Sequence, residues 1–259
     1  MTTQDREISS FLAIKGIYIE ETFRAFRDWD LTLSADENLK HIQTSNSIGA
    51  PSSGWLRNFL WVTHRRYRID QGDLPLIQLA QTGWHIDDWR PLLLWHSCQS
   101  DELLRLFLAD WLFTKRAMDV VAITAQSVRE FLAALITERL GTADAWTDTT
   151  ISRAASKLLK TAVEFRLLEG RKVKSFAAYR LPEVSFMYLL HALMEREKSS
   201  RRVVDARDWQ IFLMSPQDVE EELLRLHQYG KLRFERAGTF IELTLPCKHA
   251  EEFIRSRAG

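Results

Sequence analysis

Apolar residues recur three and four positions apart over most of the chain, and that spacing predicts a mostly α-helical fold. Ile19, Thr22, Phe23 and Phe26 fall on one face of a helix over residues 16–28. Ser34 precedes the next periodic run with Glu37 three positions on, a spacing in which each side chain accepts the other residue's free amide; a helix to about Gln43 follows. Residues 44–54 are dense in turn formers, after which 55–68 read as helix again. Three further helices are expected near 74–82, 86–98 and 100–115. Asp87 and Asp88 suit the first turn of the second by complementing its dipole, and Pro91 either kinks that helix or marks its true start. Thr124 or Ser127 opens a helix to about 140, and Asp148 or Thr149 opens one to about Leu168.

The texture then changes. Residues 168–181 mix glycine, β-branched and aromatic residues in partial alternation, which predicts a short β-hairpin or wing that Pro182 ends. Helix returns over 183–197, and Ser199-Ser200-Arg201-Arg202 reads as a linker. Ser215 and Pro216 start another helix, with Gly230 as its C′ glycine. Two alternating runs around Ala237-Gly238 form the clearest hairpin. Twice, then, a capped helix leads into a hairpin with basic residues, the skeleton of a winged helix-turn-helix. The fold class expected is mostly α, a multi-helical globular fold with helix-turn-helix or winged-helix-like units and short β-hairpins. Residues 1–120 are expected to form a helical domain with a helix-turn-helix-like unit, and 121–259 a helical domain with winged-helix-like units.

Composition narrows the function classes. The chain has 259 residues, 46% hydrophobic and 27% charged, enough to bury a core and unlike a disordered chain. Its two cysteines, Cys98 and Cys247, lie outside any metal-ligand spacing and suit a reducing cytoplasm. The acidic N-terminus lacks the layout of a secretion signal, and no run approaches the roughly 18 uncharged apolar residues of a membrane span. A cytoplasmic protein without membrane association, expected to be a monomer, is the reading. No phosphate-binding glycine loop, dinucleotide fingerprint, nucleophile elbow or zinc-protease motif occurs, so no catalytic residue, metal or cofactor is expected. Trp84-His85-Ile86-Asp87-Asp88 reads as a helix start with tryptophans in the core rather than an acid–base cluster. His96 and Cys98, two apart on a helix, do not face each other. His41, His191 and His249 are isolated.

Charge cancels overall, with 35 basic and 35 acidic residues, so its placement matters more than its sum. One cluster is Arg57, Arg65, Arg66 and Arg68, joined by His64, with no acid between Gly54 and Ile69. It follows a helix and a turn, the arrangement of a DNA-reading second helix, although the turn is long for that motif. The competing explanation is favourable interaction with a helix C-terminus. The stronger cluster is on the helix from Thr149. Ile151, Ala154, Ala155, Leu158, Leu159 and Ala162 form an apolar stripe, and Arg153, Lys157 and Lys160 fall away from it. Thr149, Thr150 and Ser152 at its start are candidate donors to phosphates or bases, and Arg171, Lys172 and Lys174 lie in the hairpin behind. Residues 150–180 carry eight Lys/Arg against two Glu, a net +6 that the rest of the chain offsets. Such segregation favours phosphate binding with counterion release; the competing reading is an ordinary solvated face. The segment 215–245 mixes its bases with Glu220, Glu221, Glu222 and Glu235 and reads as structural or protein-docking.

The order of these features resembles a known family over roughly residues 10–245. It rests on Ser45-Asn46-Ser47-Ile48-Gly49 with Arg65-Arg66, on Leu103-Leu104-Arg105-Leu106-Phe107-Leu108-Ala109-Asp110-Trp111, and on Thr149 to Lys160 leading to Phe165-Arg166-Leu167-Leu168-Glu169-Gly170. They look like BrxA, a core component of the BREX bacteriophage-exclusion systems. The resemblance implies a mostly helical cytoplasmic protein with two helix-turn-helix units. It also implies binding to double-stranded DNA in a system whose methyltransferase and ATPase are other subunits. The rival class is an adaptor that docks on other BREX subunits without touching nucleic acid. RNA binding ranks below both, since no aromatic–basic strand platform is evident, and an enzyme ranks last.

Overall fold

In the computed structural model, which describes residues 8–69, 72–141, 145–238 and 240–256, several helices start where a capping side chain meets an apolar stripe, as at Ser34, Ser52, Thr124, Thr147 and Ser215. The turn between α1 (Ser10–Lys15) and α2 (Ile19–Arg27) carries positive φ at Gly16 and Tyr18. α3 (Ala35–Ser45) begins at the expected box: Glu37 N donates to Ser34 Oγ at 3.3 Å, and Ser34 N to Glu37 Oε2 at 2.8 Å. α4 (Ser53–Arg66), capped by Ser52, starts two residues earlier than the periodicity suggests. α5 (Leu74–Gln81) and α6 (Ile86–Ser100) follow. Pro91 lies inside α6 and does not start it; His85 does, its Nδ1 accepting from Asp87 N at 3.2 Å.

The helix expected over 100–115 is α7 (Glu102–Arg105), a π-helical stretch Leu106–Leu112 and α8 (Phe113–Ala117). α9 (Ala125–Leu140) is capped by Thr124, and α10 (Asp148–Glu164) by Thr147 rather than Asp148 or Thr149. The first hairpin is β1 (Leu168–Glu169) and β2 (Ser175–Phe176), antiparallel with Leu168 opposite Phe176. α11 (Glu183–Glu197) comes next. The expected linker is instead α12 (Ser200–Val204), which buries Val203 and Val204, and a 3-10 turn Arg207–Phe212 follows. α13 (Pro216–Gln228), β3 (Arg233–Ala237), β4 (Phe240–Thr244) and α14 (Ala250–Arg255) complete the chain, with Arg233 opposite Thr244. The protein is therefore mostly helical, with two short antiparallel hairpins.

Buried apolar side chains run as one cluster from Ile8 to Ile254. Aromatic contacts anchor both ends: Phe26 meets Trp29, Tyr67 and Trp89 edge-on, and Phe186 stacks on Trp209 at 4.8 Å. Trp95 Nε1 donates to Asp208 Oδ1 at 2.6 Å, tying α6 to the 3-10 turn. α1 packs against α10, which brings the start of the chain beside its most basic helix. Among the described residues no helix is long and apolar enough to cross a membrane.

Candidate nucleic-acid interface

Thr147 has extended backbone and its hydroxyl accepts from Thr150 N at 3.2 Å, satisfying one of the amides a helix start leaves free. Downstream, Ile151, Ala154, Ala155, Leu158, Leu159 and Ala162 are buried as their spacing predicts, with Thr161 beside them. They pack against α9 and α1. Burying Leu158 and Leu159 contributes roughly 1.5–3 kcal/mol each, and that fixes the roll of the helix. The opposite face is open: Thr149, Arg153, Ser156 and Lys160 are exposed, with Ser152 and Lys157 half-buried at its edges. Thr150 is half-buried, its hydroxyl 2.9 Å from that of Thr147, so it serves the cap first.

Behind α10 the hairpin turns through residues 170–174. Gly170 takes φ +99°, and a Cβ there would stand 2.5 Å from Val173 O, so the turn needs glycine. Arg171 and Lys172 project into solvent. Lys174 is half-buried and folds back, its Nζ donating to Gly170 O at 2.8 Å and to Arg171 O. Its backbone pairs with Ile123 in both directions at 2.8 Å, which adds a one-residue third strand just before α9. The segment thus runs helix (α7 to α8), one-residue strand, helix, helix, hairpin.

Free positive charge on this face is narrower than composition suggests. Lys160 pairs with Glu164 at 3.3 Å, Arg166 with Asp87 at 2.8 Å and Arg180 with Glu222 at 3.3 Å. Arg153, Lys157, Arg171 and Lys172 have no carboxylate within ion-pair distance among the described residues. They form the uncompensated part of the patch, with the hydroxyls of Thr149 and Ser152 on the same helix.

The earlier arginine cluster divides. Arg57, Arg65 and Arg68 are exposed, and Arg65 lies 5.5 Å from the Trp61 ring centroid and 5.9 Å from that of Phe11. Arg66 must be removed from the surface set: it is 1% exposed, and its Nη1 donates to Gly16 O at 2.5 Å. The helix period explains the burial, because Arg66 continues the face of Phe59, Val62 and Thr63, all buried. That spacing was the available signal for its placement.

The helices that carry the two clusters, α4 and α10, both contact α1. Trp55 of α4 and Lys157 and Lys160 of α10 line one cleft of about 580 Å3 with Lys15 and the start of α2. Lys15, Arg90 and Tyr18 escaped notice in the sequence, because no local pattern links positions so far apart. The histidines and cysteines build no comparable site. His96 Nδ1 lies 2.6 Å from Asp73 Oδ1 and its Nε2 is 3.5 Å from Tyr188 Oη, all buried. Cys98 is buried, and that burial pushes its thiol well above the usual range. His191 is buried with Nδ1 2.7 Å from Met187 O, and burial lowers its pKa. A family model described as BrxA matches residues 9–192, the stretch from α1 into α11 that holds both basic patches. No curated protein matches the chain.

Proposed function

The chain belongs to the BrxA family, and from that premise we propose that it binds double-stranded DNA as a non-catalytic accessory protein of BREX phage defence. Membership itself suggests the BREX role; the mode of action is argued from the interface. The observation that carries it is the open face of α10, where Arg153 and Lys157 stand without acidic partners among the described residues, beside Thr149 and Ser152. The order helix, short strand, helix, helix, hairpin is that of a winged helix, in which the helix before the hairpin enters the major groove. In this reading α10 is that helix. Its small buried residues, Ala154, Ala155 and Ala162, let it lie close to its neighbours while its cations project outward. Arg171 and Lys172 in the turn reach the flanking backbone, and Arg57, Arg65 and Arg68 extend the positive surface. Phosphate contacts of this kind position a protein on a duplex without specifying sequence.

The adaptor reading draws on a different surface. α13 and the second hairpin expose Leu224, Tyr229 and Phe240, and their charges are mostly paired internally, Arg225 with Glu183 and Glu222 and Arg233 with Glu235. Apolar groups among neutralised charges suit protein docking, so this module fits contact with other BREX subunits. Anisotropy titration of the purified protein with random-sequence duplex across a salt series separates the two readings. Binding that weakens steeply with salt supports DNA binding; none at low salt leaves the adaptor.

A further inference from the structure

The cleft beside α10 has a composition that an open DNA-reading face does not require. Its volume of about 580 Å3 lies within the roughly 300–1,000 Å3 typical of small-ligand sites and is far too small to admit a duplex. Four cations line it, Lys15, Arg90, Lys157 and Lys160, against three carboxylates, Glu20, Glu21 and Glu164, a net charge of +1. Two of the acids are engaged: Glu20 lies 3.7 Å from Arg90 and Glu164 lies 3.3 Å from Lys160. Lys15 donates to Asn58 Oδ1 at 2.7 Å and has no ion pair among the described residues, and neither has Lys157. Arg90 Nε is buried without a hydrogen-bond partner. Its Nη2 lies between Glu20 and Asp87, the latter at 3.5 Å, which anchors the guanidinium at the cleft wall. Trp55 closes one side of the cleft, its ring held by stacking on Phe59 at 5.9 Å and by the edge contact with Tyr18 at 5.2 Å.

One surplus positive charge matches one negative charge. A phosphodiester carries a single charge, whereas a phosphomonoester carries about −1.5 to −2 at neutral pH. An aromatic wall next to cationic donors is how proteins hold the unstacked nucleotides of a single strand, the base against the ring and the backbone on the cations. We propose that this cleft takes up a single unpaired nucleotide of a DNA strand, its phosphodiester held by Lys15, Lys157 and Arg90 and its base against Trp55. The inference rests on the DNA-binding reading of α10. It adds that the protein distinguishes duplex with an unpaired end from fully paired duplex.

The test compares a blunt duplex with the same duplex carrying a short single-stranded 3′ tail, both fluorescently labelled and titrated by anisotropy. Wild-type protein is expected to bind the tailed duplex about 5- to 150-fold more tightly, the range that stacking one base on an aromatic side chain supplies. Lys15→Gln and Trp55→Leu should each shrink that preference while leaving blunt-duplex affinity unchanged, with circular dichroism checking that both fold. Lys15 is the safer variant, since Trp55 also packs on Phe59. Equal binding of both duplexes by wild type overturns the cleft proposal and leaves the DNA-binding reading standing. A tail preference that survives both folded variants also overturns it, because the tail is then held elsewhere. Failure to bind either duplex removes the DNA-binding reading and this inference with it.

Discussion

Arg65 and Arg66 are neighbours with opposite fates, and replacing each by alanine should separate them cleanly. Arg66 is 1% exposed and gives Gly16 O a hydrogen bond at 2.5 Å. Asp101, 3% exposed, feels its charge: burial raises the carboxyl's pKa and the Arg66 guanidinium partly lowers it again. A hydrogen bond to a charged group contributes about 1.5–3 kcal/mol. Removing one member of a buried charged set costs about 3–5 kcal/mol, because the remaining charge loses its compensation. The two figures overlap, so Arg66→Ala should destabilise by about 3–5 kcal/mol in all, which lowers the melting temperature by roughly 6–20 °C in a chain of this size. Arg65→Ala loses only an exposed contact with Trp61 and Phe11, about 0.5–1 kcal/mol. Thermal melts followed by circular dichroism measure both.

The pH dependence gives a second check. Without Arg66 the folded-state pKa of Asp101 rises further. An acid whose folded pKa is raised favours the fold at low pH and loses that contribution as pH rises through the folded value. The deficit of Arg66→Ala should therefore be largest at neutral pH and narrow as acid protonates Asp101. Adding Asp101→Asn to Arg66→Ala should recover part of the loss at neutral pH, a coupling that a double-mutant cycle reads directly. An Arg66→Ala protein as stable as wild type, or one whose deficit grows in acid, refutes the reasoning from burial.

Three other outcomes follow from the same geometry. Gly170→Ala forces a Cβ against Val173 O at positive φ, so stability should fall by about 1–3 kcal/mol in urea titrations and duplex binding should weaken as Arg171 and Lys172 are displaced. Thr147→Ala removes the α10 cap and should cost about 1 kcal/mol, a melting shift of roughly 2–4 °C. Iodoacetamide should modify the folded chain once, at Cys247, and reach buried Cys98 only after denaturation; rapid double alkylation in native buffer, read by mass spectrometry, contradicts the packing around α6.

Local chemistry explains which features were legible in the sequence. The caps at Ser34, Thr124 and Ser215 and the apolar stripe of α10 are written in residues three and four apart, and all were readable there. Residues 199–212 were not, because Arg201 and Arg202 mask the buried pair Val203 and Val204 and short helices carry few periods. The one-residue strand at Ile123 pairs with Lys174, fifty-one positions away, and only tertiary packing creates such a bridge. The π-helical stretch within the run from Glu102 has no sequence signature. The basic helix was legible as a surface, but its partial neutralisation by Glu164 and its cleft with Lys15 and Trp55 arise from the docking of α1 on α10.

The most direct measurement is the salt dependence of duplex binding for wild type and for the Arg153→Ala, Lys157→Ala, Lys160→Ala triple variant. These side chains lie off the buried stripe, Arg153 and Lys160 exposed and Lys157 half-buried, and surface substitutions shift stability by under about 0.5 kcal/mol each, so the variant should melt nearly as wild type does. Each phosphate neutralised contributes about 0.9 to the slope of log K against log salt. With Lys160 shared with Glu164, the slope should fall by between about 1.8 and 2.7, and affinity should drop sharply at low salt. A folded triple variant that binds with wild-type affinity and slope would show that α10 is not the DNA surface.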